Sequence, residues 1–568
     1  MTKAIRKTAP EPLAPVPFNI PQAFQTKLDN GLRIVLFEDK RLPLVSYRLA
    51  FLAGDINDPE GATGLTSAMT SMLTEGTENY SSRELAEKIE RLGANIAANS
   101  SDDFTIIAAS ALSMYSTDIL DLIAEIVFRP TIPETELDLY RRNTIENLKF
   151  QRSQPNFLAN EQVARLLYGE HPYSTVAPSA ADIEKLTRAA LQKHHQEILV
   201  PNNAIMIVVG DFERDELLSE IRENFGGWQP GNPGVGEIAA PPSRDGVKLT
   251  IVDRPGSAQS NIVMANLAFD RRSPDYFAAL VMNQVLGAGA SSRVFMNLRE
   301  EKGYTYGAYT RIDCKKLTGD LEATAEVRTQ VTGDSLKEFF YELNRIRDER
   351  VSEEELADAK NFLTGVFPIR AETQEGLTNL IVNQQLYGLP EDYLQTYRDN
   401  VNAITADDVQ RVAKKYVNPD KMALVIVGDA GEILKQAREY AGSVEIFDTE
   451  GHPMDVAAYE ENPNEETADA DGKWALTLDF QGQKVPVSLT IDQSGESISG
   501  NLETILGSGK ISEGKITGRK FTATASTEIQ GQTVDFVING SVDGDSMAGS
   551  LSAAIIPDAL SFTGTREK

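Results

Sequence analysis

The sequence predicts an α+β protein: two tandem homologous units, each a sandwich of strands and helices, followed by a small all-β antiparallel barrel or sandwich. Three observations carry that reading. An apolar strand, a Val-Gly-Asp turn and an amphipathic helix occur twice, in "LVPNNAIMIVVGDFERDELLSEIRENFG" from Leu199 and "YVNPDKMALVIVGDAGEILKQAREYAG" from Tyr416. Paired alternating strands open both units, in "LRIVLFEDKRLPLVSYRLAFLAGD" and "VKLTIVDRPGSAQSNIVMANLAF". After Phe447 the composition changes, and short alternating strands divided by Gly-rich turns run to the end.

Taken in order, residues 1–22 are a Pro-broken extended arm with basic groups but no apolar run behind them. As written, this is neither a signal peptide nor an anchor. The first unit covers 23–235 and the second 236–447, with Gly210 and Gly428 of the two landmarks 218 positions apart. Helices "IEKLTRAALQKHHQEIL" and "VNAITADDVQRVAKKY" precede the two landmark strands. A period that long excludes a solenoid and indicates a duplicated domain pair. Residues 448–471 form an acidic linker, since Glu445 to Asp471 holds ten acidic residues and no Lys or Arg. Residues 472–568 form the β-module, read as seven runs, among them "GKITGRKFTATAS". No catalytic cluster stands out in it, which leaves a docking role or a structural cap.

The chain has 568 residues, too many for one core, and a formal net charge of −29. That charge disfavours nucleic acid and anionic membrane surfaces, and favours basic or mixed polypeptide. No stretch supplies the ~20 apolar residues of a membrane span. The compartment is open: cytoplasmic as written, periplasmic if a leader has been removed. Cys314 is the one cysteine, so neither an internal disulfide nor a thiolate cluster is available, and a buried inert thiol is expected.

The stretch "GATGLTSAMTSMLTEGT", Gly61 to Thr77, has the cadence of a metal-binding helix without histidine. Leu65, Ala68, Met69, Met72 and Leu73 recur at helical spacing and predict a buried stripe. Ser67, Thr70 and Ser71 are expected to project together from the other face.

This stretch resembles the pitrilysin/insulinase family of zinc peptidases, which includes mitochondrial processing peptidase. Active members carry G-x-x-H-x-x-E-H-M-x-x-x-G-T, and Gly64, Met72, Gly76 and Thr77 stand in register with it. Ser67 and Ser71 replace the two histidine ligands, and Thr70 replaces the glutamate base. The resemblance places the third ligand at Glu146, 75 residues past Ser71. It covers roughly Phe24 to Val444. Zinc requires three or four N, S or carboxylate donors, and hydroxyls are poor substitutes. Thr70 cannot accept a proton near neutral pH either. No metal is therefore expected in this chain. "HHQEI", His194 to Ile198, offers H-x-x-E but no third ligand, so packing is the expected role. A serine nucleophile at Ser67 or Ser71 lacks a base nearby in sequence.

In the second unit, "LGAGASSRVFMNLREEKGYTYGAY" is similar to the family's second-half motif. There an Arg, and a Tyr seven residues later, contact the substrate backbone and the scissile carbonyl. Arg299 and Tyr306 match that spacing, and a guanidinium and a phenol are suitable donors to a carbonyl and its developing oxyanion. The bland alternative is an Arg299 ion pair with Glu300 or Glu301 and a packed Tyr306.

In two-gene members of the family one subunit bears the zinc and the other supplies the Arg/Tyr pair. The resemblance thus implies a non-catalytic subunit, a zinc-bearing homologous partner and a peptide or unfolded-polypeptide substrate. A structural subunit like the core proteins of a respiratory complex, or a stand-alone peptide-binding chamber, are the alternatives.

Overall fold

The computed structural model describes residues 20–234, 238–460, 467–480, 483–504, 507–529, 532–553 and 560–567. Residues 1–19 of the expected arm lie outside that range. Compactness divides the chain into two units: Met1–Val247 with Val263–Ala325 and Lys337–Leu424, and Lys248–Ile262 with Glu326–Leu336 and Val425–Lys568.

Six strands make the first sheet: β1 (Phe24–Lys27), β2 (Arg33–Glu38), β3 (Leu44–Phe51), β4 (Asn95–Ser100), β5 (Thr105–Leu112) and β6 (Ala204–Gly210). Their order is β1-β2-β6-β3-β5-β4, with β2 and β6 parallel and β3, β5 and β4 antiparallel to their neighbours. The second sheet holds β7 (Lys248–Asp253), β8 (Gln259–Leu267), β9 (Thr305–Cys314), β10 (Gly319–Arg328), β11 (Ala423–Gly428), β12 (Ser443–Phe447) and β13 (Pro453–Met454). It runs β13-β12-β7-β11-β8-β10-β9.

The two orders contain the same five-strand block, β2-β6-β3-β5-β4 and β7-β11-β8-β10-β9. The repeat in sequence is therefore a repeat of topology. Its landmark strands β6 and β11 lie inside their sheets and are buried along their whole length. Covered on both faces, such strands read as continuous Val/Ile runs instead of alternating ones. Behind the first sheet, Leu49, Phe51, Met69, Leu73 and Ile123 belong to one buried cluster. Each such side chain contributes about 1.5–3 kcal/mol on leaving water.

The C-terminal module is a closed barrel of eight antiparallel strands: β14 (Gly472–Phe480), β15 (Gln483–Ser494), β16 (Ser497–Thr504), β17 (Gly507–Thr517), β18 (Lys520–Ile529), β19 (Gln532–Asp543), β20 (Ser546–Ala553) and β21 (Leu560–Arg566). Eight strands replace the seven runs of the sequence reading. "GKITGRKFTATAS" crosses from β17 into β18 through the two residues Gly518-Arg519, with Gly518 at φ 55. A two-residue turn with one glycine leaves the alternation of apolar residues nearly unbroken, which hid it. Leu476, Leu489, Ile491, Ile538 and Phe562 point inward and fill the barrel with its own side chains. Trp474, fully buried, donates from Nε1 to the Ala470 carbonyl at 2.9 Å, and the Arg566 guanidinium lies 4.6 Å from its ring. Ahead of the barrel, Tyr459 donates to Asp253 Oδ2 on β7 at 2.6 Å.

Candidate functional site

Helix Leu65–Met72 starts from Gly64, whose φ of 86° suits glycine. Asp58 satisfies the helix's first donors: its carboxylate accepts from Gly64 N, Thr66 N and Thr66 Oγ1 at 2.7, 2.7 and 2.6 Å. Because the Thr66 hydroxyl donates to Asp58, it accepts from His194 Nε2 at 2.8 Å. His194 is buried, and burial lowers its pKa. His195 is also packed, with Nε2 2.9 Å from the Val127 carbonyl. Both rings of "HHQEI" thus serve packing.

The predicted stripe of Leu65, Ala68, Met69, Met72 and Leu73 is buried throughout. The opposite face divides in two. Ser67 Oγ reaches Asp55 Oδ1 and Oδ2 at 3.1 and 3.2 Å and Ser100 Oγ at 2.8 Å. Ser71 Oγ donates back to the Ser67 carbonyl at 2.9 Å. Thr70 leaves this group: it is 1% exposed and its hydroxyl has no partner among the described residues. At 100° per residue, Ser71 is ~40° from Ser67 on one side and Thr70 is ~60° away on the other, turned to the core. Ser67, Thr70 and Ser71 therefore do not share one open face.

Asp55 is the charged centre of this group. Burial pushes its carboxyl up to about 6, with Asp58 and Asp102 raising it further while the Ser100 and Ser67 hydroxyls oppose. Tyr140, its own pKa raised by burial, faces Thr144, Ser71, Asp55 and Asp58. Glu146 is exposed on helix Glu134–Arg152 and pairs with Lys149 at 2.7 Å. Among the described residues no three His, Cys, Asp or Glu side chains are grouped so as to hold a metal ion. The sequence reading missed Asp55, Asp58 and Tyr140. "GDINDPEG", with three carboxylates just ahead of a helix start, was the available signal for the first two.

Arg299 lies in a π-helical turn, Met296–Glu301, a rare geometry that recurs at functional sites. Its guanidinium is 4.8 Å from the Phe295 ring and 3.6 Å from Glu300. The chain then turns through Gly303, at φ 65, into the edge strand β9. Tyr306, at the start of β9, is 92% exposed, while Tyr309 packs on Phe295 at 5.6 Å between centroids. Arg299 is half-exposed on the preceding turn. A donor pair is thus offered to solvent on an edge strand of the sheet. Cys314, at the end of β9, is buried, and burial pushes its thiol up to about 12. That makes it inert.

A duplicated strand–helix sandwich whose metal-type helix carries hydroxyls defines a metallopeptidase-like class of protein. Comparison gives the family. Residues 33–177 match the model described as "Insulinase (Peptidase family M16)", and residues 185–363 and 403–494 match "Peptidase M16 inactive domain". The chain belongs to the insulinase (M16) family. It is similar to an "Uncharacterized zinc protease YmxG" of Bacillus subtilis, 22% identical over 71% of this chain and 98% of that one. A "Non-peptidase homolog YmxG" of Helicobacter pylori is 21% identical over 70% and 91%. Among solved structures, a "peptidase M16 inactive domain" from Pseudomonas fluorescens superposes with a TM-score of 0.68 at 26% identity, covering 72% of this chain and 98% of that one.

Proposed function

We propose that this chain is the zinc-less subunit of a heterodimeric insulinase-like metallopeptidase. It forms half of the peptide-binding chamber, and Arg299 and Tyr306 donate to the backbone and scissile carbonyl of a peptide held at the partner's zinc. The observation that supports this most directly is Tyr306, 92% exposed on an edge strand immediately after the Arg299 turn. A tyrosine kept for packing alone would bury its ring. Hydroxyls cannot replace imidazole ligands, so zinc comes from a homologous partner that carries H-x-x-E-H.

The test is reconstitution. The chain alone should leave a quenched peptide intact, and mixing it with its zinc-bearing homologue should give chelator-sensitive cleavage. Cleavage by the isolated chain, stopped by a chelator, would overturn the proposal.

One observation favours a second reading, a purely structural subunit. Arg299 already pairs with Glu300 and lies over Phe295, so its head group has partners within its own turn. Co-purification with electron-transfer proteins and no peptidase partner would support that alternative.

A further inference from the structure

Strand β9 carries Tyr306 and is an edge of its sheet, with β10 as its one neighbouring strand among the described residues. Midway along it, Thr310 N donates to the Gly287 carbonyl at 2.9 Å and the Thr310 carbonyl accepts from Asn283 Nδ2 at 3.2 Å. Beyond that mid-strand tether, its position depends on how its ends are held. One end follows the Arg299 turn. The other is the tip of the β9–β10 hairpin, residues 315–318, closed by Lys315 N donating to the Thr318 carbonyl at 3.1 Å.

That tip is fastened to the first repeat unit by a set of ion pairs and hydrogen bonds. Lys315 Nζ pairs with Asp102 Oδ2 at 2.6 Å and lies 4.7 Å from the Tyr173 ring. Lys316 N donates to Asp103 Oδ2 at 2.9 Å. Tyr173 donates its hydroxyl proton to Asp103 Oδ1 and accepts from Leu317 N at 3.3 Å. Tyr168 donates to Asp320 Oδ2 at 2.5 Å, just past the tip. Asp103, Tyr173, Tyr168 and Asp320 are all 4% exposed or less. Burying polar groups this closely is costly unless they are paired, and the pairs made by Asp102, Asp103 and Tyr173 favour one seating of the tip.

The same turn reaches the hydroxyl-bearing helix. Ser101 and Asp102 accept through their carbonyls from Asp55 N and Ile56 N, each at 2.9 Å. Asp55 in turn holds Ser67 and Ser100. We infer that turn 101–104 is a latch: Asp102, Asp103 and Tyr173 are positioning residues that seat the β9–β10 hairpin, and with it Tyr306, relative to the Ser67–Asp55 group. This deepens the proposed function by naming what fixes the donor strand, and rests on that reading only for its consequence in catalysis.

Hydrogen exchange on the full chain alone tests the latch without a partner. In Lys315→Met and Tyr173→Phe, amides of β9 should exchange about tenfold faster, while helix Leu65–Met72 and the barrel stay as in wild type. Lys315→Arg, which keeps the charge on Asp102, should restore protection. Exchange in β9 within about twofold of wild type in both variants overturns the latch. With the zinc-bearing homologue, the loosened variants should lose peptidase kcat/KM and Lys315→Arg should recover it. Faster β9 exchange in a protein that no partner activates keeps the latch and removes the subunit reading.

Discussion

Ser67 Oγ sits 3.1 Å from one carboxylate oxygen of Asp55 and 3.2 Å from the other, a hydroxyl–carboxylate contact at the position to which the sequence resemblance assigns the family's first imidazole. The group has no nitrogen or sulfur donor, and Glu146 is engaged with Lys149 on an exposed helix face. Metal analysis of purified protein should find zinc far below one ion per chain. Stoichiometric zinc removable by a chelator would contradict this account of the site.

Thr70 buries a hydroxyl that bonds to nothing among the described residues. Replacing it by the isosteric valine removes a desolvated polar group and leaves the packing unchanged. Thr70→Val should therefore be neutral or stabilising, by up to about 1–3 kcal/mol in denaturant unfolding. A clear loss of stability would mean that the hydroxyl has a partner after all.

The donor role of Arg299 and Tyr306 predicts a catalytic effect without a folding effect. Paired with the zinc-bearing subunit, Arg299→Ala and Tyr306→Phe should each lower kcat/KM by about 10²-fold, the scale of losing one oxyanion donor. Since Tyr306 is 92% exposed, the melting temperature should not move. Values within twofold of wild type in both variants rule out the role.

Asp320 gives a pH signature. Burial, with Glu322 beside it, pushes its carboxyl up to about 7, against the opposing hydrogen bond from Tyr168. The folded chain then keeps a proton that the unfolded chain releases near pH 4. Its contribution to stability is complete below about pH 4 and lost as pH rises through about 7. Asp320→Asn should flatten the fall in unfolding free energy between those limits relative to wild type. Equal slopes in the two proteins would refute this assignment.

How much of this was legible in the chain depended on whether the signal was local. The duplication could be read because "VVGD" and "IVGD" end strands buried on both faces, where the side chains had to be apolar. The stripe on helix Leu65–Met72 followed from periodicity alone. Thr70 could not be placed that way, because periodicity gives its angle on the helix but not which neighbour covers that angle. Asp103, Tyr173 and Lys316 were silent for a different reason: Asp103 and Lys316 lie 213 residues apart, and no short-range pattern encodes such a pairing. The β17–β18 turn was missed because a single glycine interrupts the alternation too briefly to register.

The pairing of β21 with β14 joins Phe562 to Leu478 and Arg566 to Trp474, so the first strand of the barrel waits for the last. During synthesis this module cannot be completed piece by piece; until Arg566 has left the ribosome, both β14 and β20 present raw hydrogen-bonding margins. Clipping a few residues from that closing strand would not trim the module but unfasten it, exposing two seams to any extended chain nearby.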